Sequence, residues 1–406
     1  MSRFSTGERP GRLPALFFVT LGFIQALWPL TMDLYLPSFP QIEHELATSP
    51  ALVQFTLTGA FVGMAAGQLV AGPLSDRVGR IRPLLVALVI YVLASAGCAL
   101  APSVGLLVTA RLVQGFGAAA TAVVILAIVR DRAEGALMVK LLARLQLING
   151  VFVVASPAIG AQLLQLTDWR GLFWLLVAYG VVILIAAFSV LARHETNPPA
   201  RRALRTGAKL LDDYRALARD GRYRAAILAG ALQWAAMMSY MAASAFLFQG
   251  VYGLTPTQYA IVFGGHGLLM IAGAQISARL AGRLRVTVVA RVGTIVLFGC
   301  AGLLLASLLA APGLGLLGFL LPLFAFTTTF GVISPTLQST ALARHGLRAG
   351  AAASLIGATN MVSGAVAAPL VGLFGVASAV PAAAVMATCA GLSAVVLLVG
   401  FRREQV

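Results

Sequence analysis

The sequence predicts an all-α membrane protein with twelve transmembrane helices in two pseudo-symmetric six-helix halves, and three observations carry that prediction. Of its 406 residues, 60% are hydrophobic and 10% charged, with a mean hydropathy of +0.93; an ordinary soluble domain is roughly 25% charged. Apolar runs long enough to cross about 30 Å of hydrocarbon recur along the whole chain. Lys and Arg fall almost entirely on one side of those runs.

The runs cover 13–39, 50–73, 83–101, 104–129, 138–165 and 171–192, then 224–249, 256–280, 286–311, 314–342, 348–373 and 378–401. An even count places both ends on one face. Arg3, Arg9 and Arg12, the hairpin from Asp76 to Arg82, Arg130, Arg132, Lys140, Arg279 to Arg291, Arg344, Arg348, Arg402 and Arg403 share that face. Glu43, Glu45, Asp168 and a lone Arg170 hold the other, so the positive-inside rule makes both termini cytoplasmic. The basic start runs into its first apolar stretch with no small-residue cleavage site, which predicts a retained first span.

Between the two sets of six lies a connector with Pro198, Pro199 and clustered arginines, in which 208–219 reads as an interfacial helix. The chain thus divides into an N-terminal half (1–192), a basic cytoplasmic linker (193–223) and a C-terminal half (224–406). Gly79 to Arg82, GRIR, recurs as GRLR at Gly282 to Arg285, with Gln68 and Gln275 ahead of the two copies. The echo is that of a duplicated six-span unit, although the second copy lacks the aspartate.

Composition also excludes function classes. The net charge of +16 would suggest nucleic acid in a soluble chain, but here the basic residues lie between apolar runs and serve topology. No nucleic-acid partner is expected. Cys98, Cys300 and Cys389 each sit inside an apolar run, which favours packing over disulfides. A glycine-rich phosphate loop with lysine, a metal-ligand cluster and a nucleophile with its base are all missing, so no cofactor, no metal, no ATP coupling and no enzyme activity are expected.

Gly67 to Arg82, GQLVAGPLSDRVGRIR, ends an apolar run in Asp76, Arg77, Arg80 and Arg82 around turn-forming Gly79. Charges in this number cannot continue into hydrocarbon, so the stretch is a tight hairpin at a membrane face. A solvated turn would look the same from spacing alone.

Within the spans ionisable residues are rare, and Asp33, Arg111 and His266 stand out. A charge inside the membrane costs about 2.5–3.5 kcal/mol on insertion scales, so each needs a partner or a purpose. Asp33 and Arg111 lie at one depth, roughly 9–11 Å inside the outer boundary at 1.5 Å per residue, which makes a pair geometrically feasible. Asp33 reads either as an interfacial carboxylate beside Pro37 and Pro40 or as the group that gains and loses a proton. Arg111 reads as its switchable partner or as a static structural cation, since a nearby Arg lowers and burial raises a carboxylate's pKa. His266, among Gly264, Gly265 and Gly267, reads as a packed residue or as a second titrating group.

Trp28, Tyr35, Gln146, Asn149, Trp234, Met238, Met241, His266 and Asn360 are the candidates for lining a greasy cavity with a few polar handles. The same Met and aromatic residues also suit core or lipid-facing positions. Span 5, with Ser156, Pro157 and Gly160, and span 11, with Ala349 to Ala353, Gly357 and Gly364, carry small residues that suit either hinging or static close packing.

Two motifs now carry a resemblance. GPLSDRVGR, Gly72 to Arg80, resembles the signature between spans 2 and 3 of the major facilitator superfamily, and RLVQGFGAA, Arg111 to Ala119, is similar to the span 4 motif of its drug:proton antiporters. MDLYLPSFP from Met32 and DWRGLFW from Asp168 further resemble exporters of the bicyclomycin and chloramphenicol resistance (Bcr/CflA) type. The resemblance implies the major facilitator fold, with a central site between the halves near mid-membrane. It also implies proton coupling through Asp33 and Arg111, and a cytoplasmic latch of Gly72, Asp76, Arg77, Gly79, Arg80 and Asp131. In that latch Asp76 would brace the start of span 11 near Ala349 and Gly350.

Three departures stand out. Gln25 occupies the place of a further span 1 acid in some antiporters, Ser156-Pro157 and Gly160-Ala161 replace the usual span 5 glycines, and Ile81 replaces a common basic residue. The function expected is proton-coupled export of small amphipathic drugs such as chloramphenicol or bicyclomycin by alternating access, from a monomer in the inner membrane driven by the proton gradient. Export of a nucleoside, amino acid or sugar, or a transport-dead ligand sensor, are the competing readings.

Overall fold

In hydrocarbon the backbone N–H and C=O groups have only each other as partners, so each apolar run closes its hydrogen bonds internally and becomes a helix. The computed structural model describes residues 15–133, 135–192, 194–197, 210–281, 283–343, 345 and 349–402. Among them are twelve helices long and apolar enough to cross a membrane. Spans 1 to 6 are Leu16–Glu45, Pro50–Val78, Ile81–Ala99, Val104–Arg132, Gly135–Leu163 and Trp169–Leu191. Spans 7 to 12 are Gly221–Val251, Pro256–Ala281, Val286–Ala310, Gly315–Leu342, Ala349–Phe374 and Val380–Arg402. Arg3, Arg9, Arg12, Pro198, Pro199, Gly282, Arg344, Arg348 and Arg403 lie outside the described residues.

Neighbour pairs repeat six spans apart. Span 2 packs on 4, 3 on 4 and 3 on 6, and correspondingly 8 packs on 10, 9 on 10 and 9 on 12. The halves meet through a symmetric pair of contacts, span 2 with 11 and span 5 with 8. We call the membrane face shared by the two ends of the chain the basic face, and the opposite one the far face.

Span 1 is interrupted twice, with helices at Ala15–Gln25 and Leu27–Asp33, a 3-10 turn at Leu36–Ser38 and a last helix at Phe39–Glu45. Prolines explain this: Pro29 has no N–H for the Gln25 carbonyl and Pro37 none for that of Asp33. Span 2, by contrast, outruns its apolar stretch. It stays helical through Asp76 and Arg77 to Val78, because the interface hydrates those side chains and Arg77 complements the helix's negative end. The hairpin is therefore confined to Gly79 and Arg80, with Gly79 at φ +103°, a value that disfavours any residue with a Cβ.

The described part of the connector includes a helix at Leu210–Arg219. It is docked on the C-terminal half, against the feet of spans 7 and 11: Leu217 is fully buried, and the Tyr214 and Ser354 hydroxyls are 3.2 Å apart. The three cysteines are free.

Candidate functional site

A chamber of about 100 Å³ lies between the halves, lined by residues of spans 1, 2, 5, 7, 8 and 10. Span 1 supplies Trp28, Met32, Asp33 and Leu36; span 2 supplies Leu57 and Phe61. From the other half, span 7 presents Trp234, Met237, Met238 and Met241, and span 8 presents Phe263, His266 and Met270. Val153 and Phe330 complete the wall. The spacings of three and four are those of a single helix stripe. Those stripes were the signal that would have added Met32, Leu57, Phe61 and Phe263 to the sequence-based candidates; Phe330, single on span 10, had none.

Asp33 is 4% exposed, and it has no hydrogen-bond or ion-pair partner among the described residues. The expected pair with Arg111 is not formed. Arg111 is 0% exposed and turned into the N-terminal half, where its Nη1 donates to the Thr31 carbonyl at 2.9 Å and to Gln114 Oε1 at 2.6 Å. Its guanidinium also lies 4.2 Å from the Tyr35 ring centroid. The reason is helix rotation: Thr31 and Tyr35 share the face toward span 4, and Asp33, two residues from each, is about 200° around the axis. The bond to Thr31 keeps Arg111 beside this part of span 1, but equal depth does not imply equal azimuth.

Tyr35 is likewise a core residue and not a chamber residue, its hydroxyl 3.0 Å from that of Thr56. Asn149 does not line the chamber either, while Gln146 sits two turns toward the basic face from Val153 on the same side of span 5. His266 is packed between Tyr240 and Phe263 at centroid distances of 5.2 and 5.4 Å, with Nδ1 unbonded. Asn360 lines a separate space beyond Trp234 and Phe330. Within span 5, Ser156 bonds back to the Phe152 carbonyl, Pro157 lies inside an unbroken helix, and Gly160 abuts the Leu34 carbonyl. Gly160 thus serves close packing behind the break in span 1.

The far-face ends of the two halves are sewn together. Buried Gln54 donates to the Ala242 carbonyl at 3.1 Å and accepts from the Gly372 N–H at 2.9 Å. Gln249, in a π-helical turn at Phe246–Val251, donates to the Pro37 carbonyl at 2.9 Å, and Gln165 reaches Thr257 at 3.1 Å. Phe39 and Phe246 close the seam with centroids 5.8 Å apart. The chamber is closed toward the far face.

At the basic face Arg80 organises the latch. Its guanidinium meets Asp76 at 2.7 Å, Asp131 at 2.8 Å and Ser75 Oγ at 2.8 Å. Burial opposes its charge, but Asp131 and Asp76 outweigh that and raise its pKa above the ordinary value. Gly72 takes up ordinary packing against Val123 and Arg77 is exposed. Three residues not anticipated complete the cluster. Glu195 accepts from the Arg80 and Ile81 N–H groups at the start of span 3, Thr196 Oγ1 bonds Asp131 at 3.2 Å, and Asn197 Nδ2 bonds the Asp76 carbonyl at 2.9 Å. The sequence signal was weak: an acid in a basic connector that also holds Asp212, Asp213 and Asp220. The side chains at 349–350, where Asp76 was expected to brace span 11, lie outside the described residues.

Comparison with known proteins places this architecture. The Major Facilitator Superfamily description matches residues 21–368. The chain belongs to the Major Facilitator Superfamily. It is 33% identical over 97% of its length, and 96% of the relative's, to the Uncharacterized MFS-type transporter YdgK of Bacillus subtilis. The Bicyclomycin resistance protein homolog of Haemophilus influenzae is 27% identical, covering 93% of this chain and 94% of its own. Multidrug resistance protein MdtL of Klebsiella pneumoniae is 29% identical over 92% of each. In structure the chain is similar to the nucleoside transporter NupG, with a TM-score of 0.73 at 14% identity over 96% of this chain and 99% of that one. The human organic anion transporter MFSD10 gives 0.65 at 17% over 97% and 100%. These two likenesses speak to the fold alone. As a member of this superfamily, the protein is a multi-pass inner-membrane transporter and not an enzyme.

Proposed function

We propose that this transporter exports small amphipathic drugs, phenicol or bicyclomycin antibiotics among them, in exchange for protons. The observation that carries the reading is Asp33, an unpaired carboxylate on the wall of a chamber that is apolar apart from it and His266. A greasy wall of Trp, Met and Phe accepts apolar bodies of varied shape, and a carboxylate facing them is the group that a proton and a substrate compete for. The resistance proteins among its relatives support the substrate class.

In this reading the basic face is cytoplasmic, both termini lie there, and the closed far-face seam makes the conformation inward-facing. Residues 1–192 and 224–406 rock against each other about the chamber, joined by the linker at 193–223. Asp33 carries the proton, and Arg111 positions it by holding the Thr31 carbonyl two residues away. The latch around Arg80 keeps the foot of span 2 against spans 3 and 4 during the motion. The transporter works as a monomer on the proton gradient, without a cofactor.

Efflux of chloramphenicol from energised vesicles tests the reading, with wild type and Asp33→Asn compared and an uncoupler added to each. Wild type is expected to transport only while a gradient exists and Asp33→Asn not at all. Equal, gradient-driven transport by both would remove Asp33 from the coupling, and no transport by wild type would remove the drug class.

A further inference from the structure

The chamber between the halves adjoins a second compartment that lies within the C-terminal half. Trp234 and Phe330, with ring centroids 6.1 Å apart, belong to the walls of both. On one side is the apolar chamber. On the side toward the basic face is a vestibule of about 230 Å³ between spans 7, 10 and 11.

The chemistry changes across that pair of rings. Ser334 and Gln338, one turn apart on span 10, and Asn360 on span 11 all line the vestibule. Asn360 Oδ1 and Trp234 Nε1 are buried atoms with no hydrogen-bond partner. Gln233 faces the same space but is already committed, its amide bonded to Thr294 at 3.1 Å and Ser393 at 3.2 Å. No ionisable side chain lines the vestibule. An amide or an indole N–H buried unpaired is costly, and a ligand with matching donors and acceptors recovers that cost. A charged group would find no counter-charge there.

We propose that the vestibule is a second binding compartment, selective for the neutral amide or hydroxyl groups of a substrate. Trp234 and Phe330 are the gate through which the substrate's apolar part passes into the chamber. The ligand class is therefore an uncharged polar head on an apolar body. This rests on the transport reading above, but the gate itself does not depend on which compound is carried. Trp234 is seated for the role: Gly364 leaves room beside it, since a Cβ there would stand 3.3 Å from Nε1 and 3.1 Å from Met238.

Cysteine labelling tests the gate without any drug. In a background with Cys98, Cys300 and Cys389 replaced, Ser334→Cys and Met238→Cys are labelled by a hydrophilic maleimide from the basic face. Met238→Cys is expected to react more slowly by about tenfold. Adding Trp234→Ala should abolish the difference, and Trp234→Phe should keep it. Equal rates with Trp234 in place, or no effect of Trp234→Ala, overturn the gate.

Equilibrium binding to purified protein tests the selectivity, with chloramphenicol as the hydroxyl- and amide-bearing probe and tetraphenylphosphonium as a probe without hydrogen-bonding groups. Asn360→Leu is expected to weaken chloramphenicol by about tenfold, equally at pH 6 and pH 8, and to leave tetraphenylphosphonium unchanged. Equal loss for both probes, or for neither, overturns the vestibule as a polar subsite. Wild type binding neither probe would instead remove the drug reading, and the labelling rates would still decide the gate.

Discussion

Gln54 and Gly372 are joined across the two halves: the Gln54 amide oxygen accepts the Gly372 N–H at 2.9 Å while its nitrogen holds the Ala242 carbonyl at 3.1 Å. One fully buried side chain thus ties span 2 to spans 7 and 11 at the far face. Gln54→Leu removes both bonds while keeping bulk, and should weaken the seam by about 1–2 kcal/mol. Gly372→Ala should act in the same direction, because a Cβ there would stand 2.6 Å from Ala51 Cα and 2.8 Å from its nitrogen. Spin-label distances between the far-face ends of spans 2 and 11 check this, with both variants expected to gain a longer-distance population.

Arg111 bonds and stacks entirely within the N-terminal half. Arg111→Lys keeps the charge but loses the fork and the flat face, so it should lower the melting temperature of the purified protein by an amount equivalent to about 1–3 kcal/mol. In the proposed reading Asp33 sets the pH midpoint of drug binding, and that midpoint should stay put. A midpoint displaced by a full pH unit would show instead that Arg111 acts directly on the Asp33 charge.

The latch predicts a graded response at Glu195. Its carboxylate accepts from the first N–H groups of span 3, the place where a negative charge complements a helix. Glu195→Ala should cost about 0.5–2 kcal/mol, the range for a lost helix cap, with Glu195→Gln recovering part of it. Thermal unfolding of the two variants beside wild type gives the order.

Asp220 caps span 7, accepting from Arg222 N at 2.8 Å and Tyr223 N at 3.2 Å, and its other oxygen is 3.0 Å from His345 Nε2. Burial pushes its pKa up, but those N–H groups and the His345 ring prevail and hold it below the ordinary 3.8. A carboxylate with a depressed folded pKa stabilises the fold above its unfolded pKa and loses that contribution as pH falls through the folded one. Asp220→Ala should therefore melt earlier than wild type at neutral pH, and the gap should close as pH falls below 3.8. A gap that persists unchanged in acid would exclude the carboxylate as its source.

Asp33 was legible because an acid inside an apolar run is costly and so conspicuous. Asp76 and Arg80 were legible as a turn because charges cannot enter hydrocarbon, whereas their grouping with Asp131 came only from the resemblance of the motif. Gln54 and Glu195 were not, since a neutral amide near a span end and an acid in a connector look like ordinary interfacial residues. Their partners lie in distant parts of the chain: Gly372 for Gln54, and Arg80 for Glu195.

The sequence by itself determined the twelve spans and their order, because hydrocarbon thickness and helix rise are fixed lengths. Tertiary structure alone decided rotation about each helix axis and the breaks that proline introduces in span 1. Those two variables separate Asp33 from Arg111, turn Tyr35 into the core and set Trp234 against Phe330. Depth is additive along a chain and can be counted; azimuth depends on which neighbouring helix a face packs against.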